Sequence, residues 1–435
     1  MKRVLFFNNS PSLTISLPFF LNVPLFLLLA AVLLWWAGPQ AMMSRWNEAT
    51  LALTHLLTLG VLASAMLGAL MQVLPVATAV RVVASPAFAL GIYSALTSGT
   101  LMLAAGFLSA RADIARIAFV LLALAVGTFL LAVVVALLRH RHTRVPASEP
   151  LFRSAQLALL ALVLTVGLGL ALLATRAWGV RLSIPGITDI HGAWGLLGWT
   201  GLLMAGVSFK VIPVFQATEL YPRHLMRGLA PAVFITLTAW SVMTMWLPYP
   251  VQWPAGLMAL LLGVLYLVYA LVSLRLLHRR KRPQPDTNTR FWRLAMVSFA
   301  ACLPCWVLLQ LLPTPHIAMA LGVLMVVGVA VSAINGMLYK IIPVLLWNHA
   351  QMPLKEASPL VPKVKQILPD HMGIWQFRLQ CAALLLLLLA CIWPVVFTGL
   401  AALASFLSAA WLLRNILSAL QLYWRARQQI RASLR

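Results

Sequence analysis

Gly198-Trp199-Thr200-Gly201-Leu202-Leu203-Met204-Ala205-Gly206-Val207-Ser208-Phe209-Lys210-Val211-Ile212-Pro213-Val214 decides how this chain is read, because its skeleton occurs three times. The pattern Gly-x7-Gly-x6-Pro-Val is met by Gly60, Gly68, Pro75 and Val76, by Gly198, Gly206, Pro213 and Val214, and by Gly328, Gly336, Pro343 and Val344. The residues before each Pro agree as well: Gln72-Val73-Leu74, Lys210-Val211-Ile212 and Lys340-Ile341-Ile342. Glycines about two turns apart let membrane helices approach closely, and a Pro stops or bends a helix. Each copy is therefore expected to be one deeply packed helix that ends at its Pro.

Working outward, uncharged apolar runs lie at roughly 13–37, 51–76, 86–108, 117–138, 155–175, 190–213, 229–248, 255–274, 294–313, 316–339, 379–398 and 400–420. Each is of the length needed to cross a bilayer, roughly 20 residues. With 62% hydrophobic and 9% charged residues over 435 positions, the chain lies far outside the range of a soluble globular protein. The prolines at 75, 213 and 343 are 138 and 130 residues apart, or about four helices at roughly 34 residues per helix and loop. The copies then fall on helices 2, 6 and 10. Four is even, so every copy enters the membrane in the same direction. The expected fold is an all-α integral membrane protein of about twelve transmembrane helices. It forms a single polytopic domain over 1–435, built from three parallel four-helix repeats (13–150, 151–290 and 291–425) related by a pseudo-threefold axis along the membrane normal.

The formal net charge of +24 points to topology, not to nucleic acid, once the charges are placed. With the N-terminus inside, only Arg45, Arg111, Arg116, Arg176 and Arg181 of the 32 Lys and Arg fall at outer ends or loops, leaving 27 inside. The positive-inside rule then sets both termini in the cytoplasm, with the inner membrane as the location. Lys2 and Arg3 precede a first apolar run that lacks a small-residue cleavage site, so that run is read as a retained helix. The basic cluster His278-Arg279-Arg280-Lys281-Arg282 between helices 8 and 9 reads as a topology signal that also meets anionic headgroups. Lys210 and Lys340 are expected to snorkel to the same headgroups, and Trp35, Trp36, Trp46, Trp178, Trp253 and Trp375 to form interfacial belts.

Of nine His, six (His140, His142, His224, His278, His349 and His371) fall in or beside inner loops. His55, His191 and His316 fall instead on helices 2, 6 and 10, toward the outer half. Ionisable groups within a membrane are costly and mark function by default, and three imidazoles converging from three arcs make a ligand site for a metal or haem. Glu48 and Asp189 lie near His55 and His191, where a carboxylate can orient an imidazole. None of the eight acidic residues falls mid-membrane, which argues against proton pumping. Cys302-Leu303-Pro304-Cys305 on helix 9 offers two thiols at i and i+3 for a soft ion such as Cu(I). Cys381 and Cys391 read as packing residues.

Twelve helices in three arcs with His on helices 2, 6 and 10, together with His191-Gly192-Ala193-Trp194-Gly195-Leu196-Leu197-Gly198-Trp199, resemble subunit I of the haem–copper oxidase superfamily, including its NnrS-like outliers linked to nitric oxide. The resemblance implies that His55 and His316 ligate haem b, with His191 a ligand for copper or a second site. The ligand set is incomplete. Helix 7 (Ala230 to Trp246) has no His, helix 10 has only His316, and position 195 is Gly where some oxidases carry Tyr. The implied function is a haem-binding, and by the same likeness copper-binding, membrane protein in electron transfer, nitric-oxide-related stress response or metal and haem handling. An electron donor or partner membrane subunit would serve it. The alternative is a redox-silent twelve-helix permease.

Overall fold

In the computed structural model, residues 12–78, 85–139, 149–184, 186–247, 251–282, 284–351 and 361–433 are described. Lys2, Arg3, His140, His142 and Glu356 lie outside them, as do the side chains of Val73, Leu74, Pro75 and Val76. Among the described residues, twelve helices are long and apolar enough to cross a bilayer, the architecture of a multi-pass membrane protein. They are α1 (Leu13–Met42), α2 (Glu48–Gln72), α3 (Pro86–Ser109), α4 (Ala112–Ala136), α5 (Pro150–Trp178), α6 (Ile187–Gln216), α7 (Arg223–Trp246), α8 (Trp253–His278), α9 (Thr287–Leu311), α10 (Pro315–Gln351), α11 (Asp370–Ile392) and α12 (Pro394–Ala432). In lipid every backbone polar group must be satisfied within the segment, which is why such apolar runs are helical.

Local chemistry sets the ends. Asn47 accepts a hydrogen bond from the Ala49 amide at 2.9 Å to start α2, and Asp286 does the same for Thr289 at 2.9 Å to start α9. These caps satisfy amides that no helix turn can reach. Pro86, Pro315 and Pro394 stand at or near first helical positions, where the missing N–H costs nothing.

Two sequence expectations need correction. The apolar run 379–398 crosses a break: α11 ends at Ile392 and α12 begins at Pro394. Trp393 takes a non-helical conformation (φ −125°, ψ 72°), as steric pressure from a following Pro dictates. The repeated prolines also do not end their helices. Pro213 and Pro343 lie inside, with α6 continuing to Gln216 and α10 to Gln351. A Pro removes one hydrogen bond from a membrane helix, and the packed neighbours carry the helix past it.

Neighbours in sequence pack side by side, and α12 returns against α1, which closes the ring of helices. Inside that ring, α10 touches both α2 and α6 midway along its length. Of the most apolar stretch of α2 and of α6, 61% is buried, against 22% for α9 and 28% for α8. The six interfacial tryptophans are all more than half exposed or close to it, from 50% at Trp178 to 71% at Trp36, in keeping with lipid-facing belts.

Each of the three inner helices carries one π-helical segment: Leu56–Ala63 in α2, Trp194–Gly201 in α6 and Leu324–Val331 in α10. Gly60, Gly198 and Gly328 are each the fifth residue of their segment. The glycines are needed for close approach to the preceding helix. A side chain on Gly60 would strike Phe26, one on Gly198 would come within 3.0 Å of Ala161, and one on Gly328 within 2.7 Å of Ser298. The second glycines repeat this, with Gly68 against Phe19, Gly206 against Ser154 and Gly336 against Phe291. The partners lie on α1, α5 and α9 in turn.

Candidate histidine site

His55 is the residue immediately before the π segment of α2, and His191 precedes that of α6 by three. A π turn adds a residue to the local helix and re-aims side chains on one side of it relative to the other, and such turns are frequent at functional sites. The two imidazoles stand side by side, ring centres 6.4 Å apart and planes within 14° of parallel. Phe107 of α3 packs on the far side of His55 at 5.1 Å. On the other flank Gly169 of α5 makes room for His191, since a Cβ there would lie 2.8 Å from the ring Cε1.

Their hydrogen bonds fix the tautomer. His55 Nδ1 lies 2.8 Å from the Leu51 carbonyl oxygen and His191 Nδ1 3.0 Å from that of Thr165. A carbonyl can only accept, so Nδ1 carries the proton in both rings and Nε2 keeps its lone pair. This is how proteins present a histidine to a metal: the outer ring nitrogen donates to the protein, which orients the ring and raises its basicity. Two metal–nitrogen bonds of about 2.0–2.1 Å, extended by roughly 1 Å to each ring centre, span about 6 Å. With centres 6.4 Å apart, the two rings are near enough to serve one ion once both Nε2 atoms turn toward it.

Two ion pairs lie at this end of the bundle. Arg176 reaches Glu48 at 2.9 Å and Arg45 reaches Asp189 at 2.6 Å, all four side chains being roughly 40–50% exposed. The Arg176 guanidinium also lies 5.0 Å from the Phe107 ring centre. The carboxylates named in the sequence reading as acceptors for His55 and His191 are thus engaged with arginines. Backbone carbonyls do the orienting instead, and no sequence pattern announces a carbonyl.

The third histidine has a different setting. His316 is exposed near the start of α10, and its Nδ1 lies 2.7 Å from the Cys391 carbonyl of α11. It too keeps Nε2 free, but the imidazole beside His55 is that of His191. Cys302 and Cys305 are free thiols. The first donates to the Ser298 carbonyl at 3.3 Å and the second to the Ile317 carbonyl at 3.8 Å. Cys381 and Cys391 are also unoxidised, Cys391 being fully buried. Among the described residues no three His, Cys, Asp or Glu side chains form a group able to hold a metal ion.

A buried tyrosine cluster between α6, α8 and α9 was not legible in the sequence. Tyr269 donates to Ser208 at 2.8 Å, Tyr221 shares a hydrogen bond with Ser273 at 2.9 Å, and Tyr266 donates to the Leu197 carbonyl within the π segment of α6. Gly201 leaves the space that Tyr266 fills. Single tyrosines in long apolar runs carry no periodic signal. The chain matches no model of a known protein family, and no curated protein matches it.

Proposed function

We propose that this chain is a cofactor-holding membrane protein in which His55 and His191 present Nε2 to one metal centre, haem b or a copper ion, in a role in electron transfer or nitric-oxide handling. The observation that carries the proposal is the pair of near-parallel imidazoles 6.4 Å apart, each with Nδ1 tied to a carbonyl. A bound haem or copper would supply one-electron chemistry. The chain's own part is to hold both rings as neutral bases, to pack Phe107 and Gly169 around them, and to hold the Arg176–Glu48 and Arg45–Asp189 pairs at the same end. His316 is the helix-10 haem ligand under the oxidase likeness. The geometry favours His191 in its place as the companion of His55.

The fold reading that goes with this is three parallel four-helix units. It is supported by the recurrence of a π segment with Gly at its fifth place in α2, α6 and α10, and by the packing of each on the helix before it. Basic residues concentrated at one end support an inner-membrane location with cytoplasmic termini.

The test is the visible spectrum of the purified, dithionite-reduced protein together with its copper content. A Soret band or stoichiometric copper that is lost in His55→Ala and in His191→Ala, and kept in His316→Ala, is the expected result. Colourless, copper-free protein from haem-replete cells would sink the proposal. The permease reading would then stand, favoured by a cavity between the inner helices at the opposite end, and uptake into proteoliposomes is its test.

A further inference from the structure

The inner helices α2, α6 and α10 flank a half-open cavity of about 210 Å³, with Phe20 of α1, Leu151 of α5 and Trp292 of α9 contributing to its wall. Its lysine end is remote from the histidine pair: Gln72 follows His55 by 17 residues and Lys210 follows His191 by 19, about 25 Å or more along a helix. On α6 the lining runs from Thr200 to Phe215, a length of about 22 Å at 1.5 Å per residue. The volume is little more than the roughly 150 Å³ that holds a single benzene ring. Spread over such a length, it forms a slot for one extended chain.

The slot is mostly apolar, with Thr200 and Asn348 among its polar members, and Gln72, Lys210 and Lys340 line it together. These are the three positions that precede the repeated Pro by three residues, so the repeated motif brings its polar member to one place from three helices. Their states differ. Gln72 accepts from Ser16 at 3.2 Å, and Lys340 is paired with Asp286 at 2.8 Å. Lys210 has no carboxylate or hydrogen-bond partner among the described residues. Both lysines, expected to reach cytoplasmic headgroups, thus also line the cavity.

We propose that the slot binds a single linear acyl chain bearing one anionic head, a fatty-acid carboxylate, with the head on Lys210 and the tail running toward Thr200. Lys210 is half-buried in the wall of the slot, and its single ammonium is complementary to a monoanionic head. A mostly apolar wall calls for a hydrocarbon tail, and the small volume suits a single one. The same acyl-plus-anion chemistry also occurs in phospholipids, whose two tails exceed the slot.

Native mass spectrometry of the full-length protein, released from micelles after delipidation and incubated with laurate, tests this. Expected is one laurate adduct per chain, at least tenfold less occupied in Lys210→Gln, retained in Lys210→Arg, and absent in Ala333→Phe, which fills the slot from α10. Dodecanol should bind more weakly and without dependence on residue 210. Equal occupancy in wild type, Lys210→Gln and Ala333→Phe would overturn the proposal, as would equal binding of laurate and dodecanol. A phospholipid adduct that laurate cannot displace and that Lys210→Gln removes would overturn the single-chain assignment. Should Lys210→Gln fail to fold, Lys210→Arg and Ala333→Phe still decide the outcome.

Discussion

At the scale of single residues, what sets the histidine pair apart is less the imidazoles than their neighbours. Gly169 is a sensitive point, because any side chain there meets the His191 ring at 2.8 Å. Gly169→Val is expected to displace that ring and to cost about 1–3 kcal/mol of stability, the usual range for overpacking. A lowered melting temperature, together with loss of whatever spectrum wild-type protein shows, is the check; unchanged melting would mean that the two helices part freely. Gly201→Ala makes a companion case. Its Cβ lands on the Tyr266 hydroxyl, so a similar loss is expected with no effect on His55 or His191. The sequence reading found both histidines because an ionisable group within an apolar run is conspicuous. It missed the groups that orient them, since the Leu51 and Thr165 carbonyls belong to ordinary aliphatic and hydroxyl residues. The likeness made His55 and His316 the haem ligands, and the ring that lies beside His55 is that of His191.

Elements carry a different lesson, because the same repeated motif was legible as a pattern and illegible as a conformation. Gly60, Gly198 and Gly328 announced close packing, and the structure bears that out, yet nothing in their spacing distinguishes a π turn from an α turn. A π segment is an α-helix with one residue too many, so removing one residue should restore α geometry and undo the local widening that sets the aim of His55. Deletion of Leu57 tests this without any cofactor: a short dithiol-reactive cross-linker should join His55→Cys to His191→Cys in the full-length frame and fail to do so after deletion. Persistent cross-linking would show that the π turn does not aim residue 55. The start of α9 offers a second case. Burial alone would raise the Asp286 carboxyl, but the Lys340 ammonium and hydrogen bonds from Lys340 and Thr289 outweigh it and hold the carboxyl below the usual carboxylate range. A depressed folded value means stability that is present above the unfolded value of about 3.9 and is lost as pH falls through the folded one. Asp286→Asn should therefore lower melting at pH 7 and flatten the acid limb below about pH 4. Asp286→Ala should lose a further 0.5–2 kcal/mol or so, because it removes the cap as well. Melting curves of the three proteins across pH distinguish the two contributions.

For the whole molecule, the number of helices was readable from hydropathy alone, because twenty uncharged residues in a row have no other stable setting. Boundaries were less readable: the break at Trp393–Pro394 lies inside what looked like one apolar run, since Trp and Pro are both tolerated in lipid. The charge reading was only partly right about its densest cluster. Arg280 turns back into the protein, donating to Gln216 and Thr289 beneath the end of α6, and burial pulls its guanidinium below the ordinary arginine value. It acts as a fastener joining the α8–α9 loop to α6 and α9. Orientation then becomes a prediction about which loops face which solvent. In intact cells that carry the protein in the inner membrane, with the outer membrane made permeable, a membrane-impermeant maleimide should label Arg181→Cys, in the connection between α5 and α6. It should label Lys281→Cys only after the inner membrane is opened. The native cysteines are removed beforehand by Cys302→Ala, Cys305→Ala, Cys381→Ala and Cys391→Ala. Even numbers of helices separate these positions from their counterparts in the other units, so the same sidedness should hold for Arg45→Cys, which lies with Arg181 at the outer end. Reaction of Lys281→Cys in sealed cells would invert the topology. The histidine pair would then face the cytoplasm and the acyl slot the outside, with the internal packing of both unchanged.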